Sequence, residues 1–386
     1  MDLLEVKTMG LYIHFPFCLS KCSYCDFYSI PLTNQEQIEA YILSLLIEIK
    51  LQADYYQDFL IKTVYLGGGT PSLMEDRQFF LLINTISNNF KLADDVEITI
   101  EANPKTLSED KLKSFFTTGL NRVSLGVQSF YANELKILGR NNKLTDIYET
   151  IALINKLNFK NYNIDLIYGI PFQTRESWLA NLEIAISLNP AHISAYLLQL
   201  EPSTRLGQRV LNNEIIMLDE EMEEMMYYDS IDFLAKHNYQ HYEISNFCKH
   251  NYQSKHNMIY WHNSPYLGLG VGAVSLVGKE RCINKPEVVE YINCLAAGYM
   301  PPREVLEVMT DKEIIAEAII MGLRLIDGIN IKDFSLRYNI DLLQAYKQPI
   351  RECLDKKLLN MENGHLKLAK NAYFLSNQVF RQFIGD

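Results

Sequence analysis

No stretch of the 386-residue sequence reaches the roughly 18 to 20 uninterrupted apolar residues that a membrane-spanning helix needs, so an integral membrane segment is not expected. Positive charge is also short. Lys and Arg number 36 against 47 Asp and Glu, and a formal net charge of -11 argues against a partner recognised by neutralising phosphates, so no nucleic acid is expected. The first residues, MDLLEVKTMGLYIHF, lack a basic n-region, an apolar core and a small-residue cleavage site, and the expected location is cytoplasmic. An even, spaced set of cysteines is missing as well. The seven present include three within eight residues, which reads as a metal site plus scattered thiols rather than a disulfide framework.

What is present is a repeating pattern. From Leu11 to about Leu200, short β-branched or apolar runs alternate with longer segments of helical period. The runs are LYIHF, TVYLG, EITIEA, RVSLGV, YNIDLIYG and ISAYLLQL. Parallel strands joined by helices belong to one sheet, either doubly wound or a barrel. Gly67 to Gly69, Glu101, Gln128 and Asp165 follow different strands, and polar groups at many strand ends favour a barrel. The expected fold is α/β, a partial (β/α)6 TIM-like barrel open on one side. After Leu200 come an acidic helix, the apolar run YEISNF and a stretch rich in Gly and aromatics, HNMIYWHNSPYLGLGVGAVS. The Pro301-Pro302 pair divides residues 1–300 from a small, mainly helical, winged-helix-like domain over 301–386, with a hairpin expected at Asn363-Gly364.

Cys18, Cys22 and Cys25, spaced C-x3-C-x2-C directly after the first run, can hold three corners of an iron-sulfur cube and leave one iron open. Zinc bound by the three thiolates and His14 is the alternative, as is a cysteine-rich turn. An open coordination position is a mark of function, because structural sites tend to be closed.

This spacing, with Tyr24 inside the final C-x2-C and YLGGGTPSLM after the second strand, resembles the radical S-adenosylmethionine superfamily, whose fold is a partial β/α barrel. The resemblance implies a [4Fe-4S] cluster whose open iron binds S-adenosylmethionine and whose electron breaks the sulfonium bond to give a 5'-deoxyadenosyl radical. The chain is similar, more narrowly, to the oxygen-independent coproporphyrinogen III oxidases and their relatives, from Tyr12 into the C-terminal domain. In those oxidases the positions matching Tyr12, Gly68, Gly69, Thr70, Glu101, Gln128, Arg140 and Asp165 line the cofactor site.

The oxidases carry a further cysteine two residues after the third, where this chain has Phe27, and a longer N-terminal arm. HNMIYW instead fits the H-N-x-x-Y-W pattern of the HemW-type haem chaperones. That resemblance implies a haem carrier, with His256 as candidate haem ligand and Tyr260 and Trp261 covering the macrocycle. A packed histidine with a core of Tyr260 and Trp261 is the alternative. Haem-acceptor proteins and an electron donor such as a flavodoxin or ferredoxin are the implied partners. No catalytic residue is assigned, and coproporphyrinogen oxidation remains the second reading. Members of this group commonly have histidines near Asn142 and Val274, which are absent here.

Overall fold

The computed structural model describes residues 7–384, so the reading of the first six residues lies outside it. Its body is built from the six runs. They form β1 (Thr8–Phe15), β2 (Leu60–Gly68), β3 (Lys91–Ala102), β4 (Arg122–Gln128), β5 (Tyr162–Tyr168) and β6 (His192–Leu197), hydrogen-bonded neighbours in chain order and all parallel. Parallel neighbours need crossovers, supplied here by α1 (Gln35–Ala53), α2 (Asp76–Asn89), α3 (Glu109–Thr117), α4 (Ala132–Ile137), α5 (Leu144–Lys156) and α6 (Arg175–Ser187).

Alternate strand residues divide between two environments. Leu11, Ile13, Val64, Leu66, Ile98, Ile100, Val123, Leu125, Ile164 and Leu166 join the core shared with the helices. Tyr65, Glu101, Ser124, Gln128 and Asp165 line the interior cavity. The helices begin where the sequence supplies caps. At α6 the Thr174 side chain accepts from Ser177 N, and Ser177 Oγ accepts from Thr174 N, which closes the first turn. The same helix buries Trp178, Leu182 and Ala185, and the indole N–H of Trp178 donates to Ser230 Oγ at 2.9 Å on α7 (Glu220–Lys236).

The six-strand expectation is therefore met, but the sheet is longer. YEISNF splits into β7 (Gln240–Glu243) and β8 (Asn246–Cys248), which extend the β6 edge antiparallel. Inside the glycine-rich stretch, HNMIYW forms α8 (Lys255–Trp261), and YLGL forms β9 (Tyr266–Leu269), a seventh parallel strand beside β1. Then β10 (Val274–Val277), β11 (Glu280–Asn284) and β12 (Arg303–Val308) continue that edge antiparallel. The twelve strands end at β12 on one side and β7 on the other, and the barrel stays open.

The boundary at residue 301 is corrected. The two prolines lead into β12, which pairs with β11 in the large sheet. The small unit starts instead near Thr310, which caps α9 (Asp311–Gly322). It contains a three-stranded sheet of β13 (Ile329–Asn330), β15 (His365–Leu368) and β14 (Leu359–Glu362), among short helices. The hairpin expected at Asn363-Gly364 joins β14 and β15, with both turn residues at positive φ, 51° and 78°.

Candidate functional site

The three cysteines sit in the loop after β1, which is stitched down on several sides. Ile30 N donates to Pro16 O at 2.7 Å and Leu32 N to Cys18 O at 2.8 Å, while Ser23 N donates to Leu138 O at 2.9 Å and Ser23 O accepts from Leu206 N at 2.7 Å. All three thiols are free and half-buried. Burial raises the Cys18 and Cys25 pKa values. A bound cation reverses that tendency, since a coordinating thiol is deprotonated. Among the described residues no three His, Cys, Asp or Glu side chains converge as ligands of a single ion. A cubane asks for something different, because each cysteine takes a separate iron.

His14, the fourth ligand of the zinc alternative, is committed elsewhere. Its Nε2–H donates to Tyr28 O at 2.8 Å, since a carbonyl can only accept, and Nδ1 then accepts from the Tyr12 hydroxyl at 3.1 Å. Burial pushes its pKa down to about 4, so the ring is neutral.

Beside the cysteine loop lies the turn that ends β2. Gly69 N donates to Phe15 O at 2.7 Å and Thr70 N to Phe17 O at 2.8 Å, so the glycine backbone lies directly against the entry to the cysteine loop. Only glycine fits there: a Cβ at Gly69 would stand 2.6 Å from Phe17 O and 2.8 Å from Phe15 O. Thr70 Oγ1 faces Cys18 Sγ at 3.6 Å and accepts from Asn103 Nδ2 at 2.9 Å. Asn103 Oδ1 in turn accepts from Arg140 Nη1 at 2.5 Å, and Arg140 Nη2 donates to the Tyr24 hydroxyl at 3.1 Å. This chain of contacts runs from one cysteine loop residue, through two strand ends, to another.

Glu101 at the end of β3 accepts from the Tyr65 hydroxyl at 2.8 Å and from Gly68 N at 3.1 Å. Burial pushes its pKa up to about 7; the Tyr65 hydrogen bond opposes the rise and the Asp165 charge adds to it. A cationic group placed beside Glu101 would favour its ionised form. Asp165 accepts from Ser124 Oγ at 3.0 Å and Asn163 Nδ2 at 2.6 Å, and its pKa is likewise raised by burial. Gln128 follows a bulge between β4 and β5 and has φ +71°, a strained conformation for a non-glycine residue that aims its side chain into the cavity.

The Glu101 shift gives a first prediction. A carboxyl whose pKa is higher folded than unfolded keeps its proton in the folded state between the two values, so stability is greatest at acid pH and falls as pH rises from about 4.5 to about 7. In cofactor-free protein, Glu101→Gln removes about 1 to 3 kcal/mol of that decline. Denaturant midpoints of the two proteins across pH 5 to 8 check it, and parallel pH profiles would contradict it.

These residues line one cavity of about 1940 Å³ that runs from Cys18, Cys22 and Cys25 past Gly68 to Thr70, Glu101, Gln128, Arg140 and Asp165. It continues to Asn257, Tyr260 and Trp261 on α8 and to Tyr373 and Phe374 in the small unit. Two family models match the chain: the radical SAM superfamily over residues 12–185 and the HemN C-terminal domain over residues 309–375. The chain is 35% identical over 383 residues to the heme chaperone HemW of Lactococcus lactis subsp. lactis (strain IL1403), which covers 98% of each. It is 34% identical to the heme chaperone HemW of Bacillus subtilis (strain 168), over 97% of this chain and 99% of that one.

The chain belongs to the HemW family of radical SAM proteins.

Among solved structures, coproporphyrinogen III oxidase (HemN) from Escherichia coli matches with a TM-score of 0.84 at 22% identity, over 98% of this chain and 90% of that one. At that identity the likeness is one of fold. Membership of the radical SAM superfamily implies a [4Fe-4S] cluster and S-adenosylmethionine. The residues of this HemW-family chain fit both. The thiols are free, the glycine turn has no room for side chains, and Arg140, whose Nε is buried without a partner among the described residues, lines the same cavity.

Two expected site residues lie differently. Tyr12 packs against Tyr65 and His256, with ring centroids 6.3 and 6.4 Å away, and is not part of the cavity lining. His256 is 1% exposed, with Nδ1 2.7 Å from Thr63 Oγ1 and Nε2 2.9 Å from the Tyr260 hydroxyl. Both ring nitrogens face packing partners, and the contact with Thr63 ties α8 to β2. Tyr65, Asn103, Ser124 and Asn163 are site residues the sequence reading missed. Each lies two positions from Gly67, Glu101, Gly126 or Asp165, and strand alternation was the signal that could have found them.

Proposed function

We propose that the chain is a haem carrier of the cytoplasm. It holds a [4Fe-4S] cluster on Cys18, Cys22 and Cys25, S-adenosylmethionine against Gly68, Gly69, Thr70, Glu101, Gln128, Arg140 and Asp165, and haem against the aromatic part of the wall, and it passes haem to acceptor proteins. The cluster, when bound, supplies one-electron chemistry, for which a flavodoxin or ferredoxin is the proposed donor. The residues bind, orient and exclude water: the glycine turn offers backbone amides, and Glu101 and Asp165 offer acceptors for hydroxyl or ammonium groups.

The observation that carries this reading is the continuity of the cavity. At about 1940 Å³ it exceeds the roughly 300 to 1,000 Å³ of a pocket for one ligand, and its wall combines two chemistries. Thiols and polar strand ends supply one, and Tyr260, Trp261, Tyr373 and Phe374 the other. The name carried by the relatives supports haem as the cargo.

The second reading, coproporphyrinogen oxidation, draws on the fold shared with HemN. Phe27 counts against it, standing where the oxidases have cysteine and lying 68% exposed on the cavity wall. Anaerobic titration of the reconstituted protein with haem is expected to give a saturable Soret shift. An anaerobic assay with coproporphyrinogen III, S-adenosylmethionine and reductant is expected to give no protoporphyrinogen. Turnover there would reverse the order of the two readings.

A further inference from the structure

We infer that Arg324 is a carboxylate anchor in the wall of the cavity, set to grip an acidic substituent of a planar cargo lying against Trp261, Tyr373 and Phe374. This rests on the haem reading and deepens it, since haem carries two propionates.

The side chain is held in place without being neutralised. Its guanidinium lies between two rings, with Cζ 5.3 Å from the centre of Trp261 and 5.1 Å from that of Phe380. The backbone on either side is pinned to β7 and the turn after it: Ile244 N donates to Arg324 O at 3.2 Å, Ile326 N donates to Tyr242 O at 3.1 Å, and Leu325 bridges to Glu243. Arg324 Nε is buried and, among the described residues, has no partner. Among the described residues the guanidinium is held by rings and forms no ion pair, and the Glu243 carboxyl acts on it only at longer range.

The carboxyl group that acts on the guanidinium, Glu243, is otherwise engaged. Glu243, 2% exposed, accepts from Asn246 Nδ2 and from Ser245 N at 3.2 Å. Its burial pushes its pKa up to about 7, so much of it is uncharged near neutrality. The indole N–H of Trp261 is likewise buried without a partner, and both Arg324 and Trp261 line the cavity. Buried donors without acceptors are rare, because each costs about 1 to 3 kcal/mol when desolvated and unpaired. Arg324 and Trp261 both line this cavity, and a guanidinium beside an indole N–H is complementary to a carboxylate. A second guanidinium, Arg122 at the start of β4, is 3% exposed, has an unpartnered Nε and lines the same cavity. Its charge, however, faces Glu97 and Asp165.

The test compares Fe(III) protoporphyrin IX with its dimethyl ester, whose propionates are masked, by Soret titration of cluster-reconstituted protein. The wild type is expected to bind the free acid at least about tenfold more tightly than the diester. In Arg324→Gln that ratio falls about tenfold through weaker binding of the acid, while diester affinity changes less than about twofold. Arg324→Lys, which keeps the charge but loses the paired donors, gives an intermediate ratio. If Arg324→Gln does not fold, the lysine variant decides, because a purely structural arginine would leave its ratio at the wild-type value. A wild-type ratio in both variants, or an equal loss for both ligands in folded Arg324→Gln, overturns the anchor and leaves the haem reading standing. A wild type that binds neither ligand removes the haem reading and the anchor with it.

Discussion

Gly69→Ala loses S-adenosylmethionine binding and about 2 to 3 kcal/mol of stability. The added methyl group would stand 2.6 Å from Phe17 O and 2.8 Å from Phe15 O, and both are backbone atoms that no rotamer change can move aside. Those same carbonyls accept from Thr70 N at 2.8 Å and from Gly69 N at 2.7 Å, so relief of the clash breaks the two hydrogen bonds that seat the turn on the cysteine loop. The strain therefore falls on the junction of the glycine turn with the cysteine loop, where the cofactor is proposed to bind. A shifted denaturation midpoint and the absence of heat on titrating reconstituted protein with S-adenosylmethionine check this. Gly278→Ala is the control: with φ +65° but nothing within 4 Å of its Cβ, it costs about 1 kcal/mol of backbone strain and leaves cofactor affinity unchanged. Wild-type affinity in Gly69→Ala would contradict the placement of the cofactor.

Serine at Cys18, Cys22 or Cys25 lowers cluster occupancy by about tenfold or more, while the protein still folds. The two halves of this expectation have separate causes. Occupancy falls because a three-cysteine site has no spare ligand. Folding persists because the loop is fixed by Ser23, Leu32 and Ile30 backbone hydrogen bonds and by the Asn141 Nδ2 to Ser20 Oγ bond at 3.2 Å, none of which uses a thiol. Serine at Cys248, Cys282 or Cys353, which are buried away from the cavity lining, leaves occupancy at the wild-type level. Iron and sulfide content after anaerobic reconstitution, with circular dichroism as the folding control, provides the measurement. Zinc uptake without iron or sulfide in the wild type would overturn the cluster.

The six barrel strands could be read in the sequence because a parallel sheet covered by helices buries alternate residues in apolar surroundings and leaves runs such as RVSLGV and YNIDLIYG. YLGL could not. It is four residues long, half bounded by glycine, and its strand character comes from pairing with Gly10 to Ile13, which lie over 250 positions away. Pro301-Pro302 misled for a related reason: prolines interrupt local hydrogen bonding but do not say which sheet the next strand joins, and β12 joined the large one. At the site, motif spacing located the cysteines, the glycine turn and the strand-end carboxylates. It could not locate what occupies the His256 ring, since Thr63 is 193 positions earlier.

The cavity wall is drawn from both parts of the chain. Glu101, Asp165 and Trp261 belong to the barrel and its extension, whereas Arg324, Tyr373, Phe374 and Asn377 come from residues beyond 309. Cutting the chain at residue 309 would accordingly not trim an appendage from a finished vessel; it would turn a chamber into a trough, open along the side that Arg324, Tyr373, Phe374 and Asn377 close.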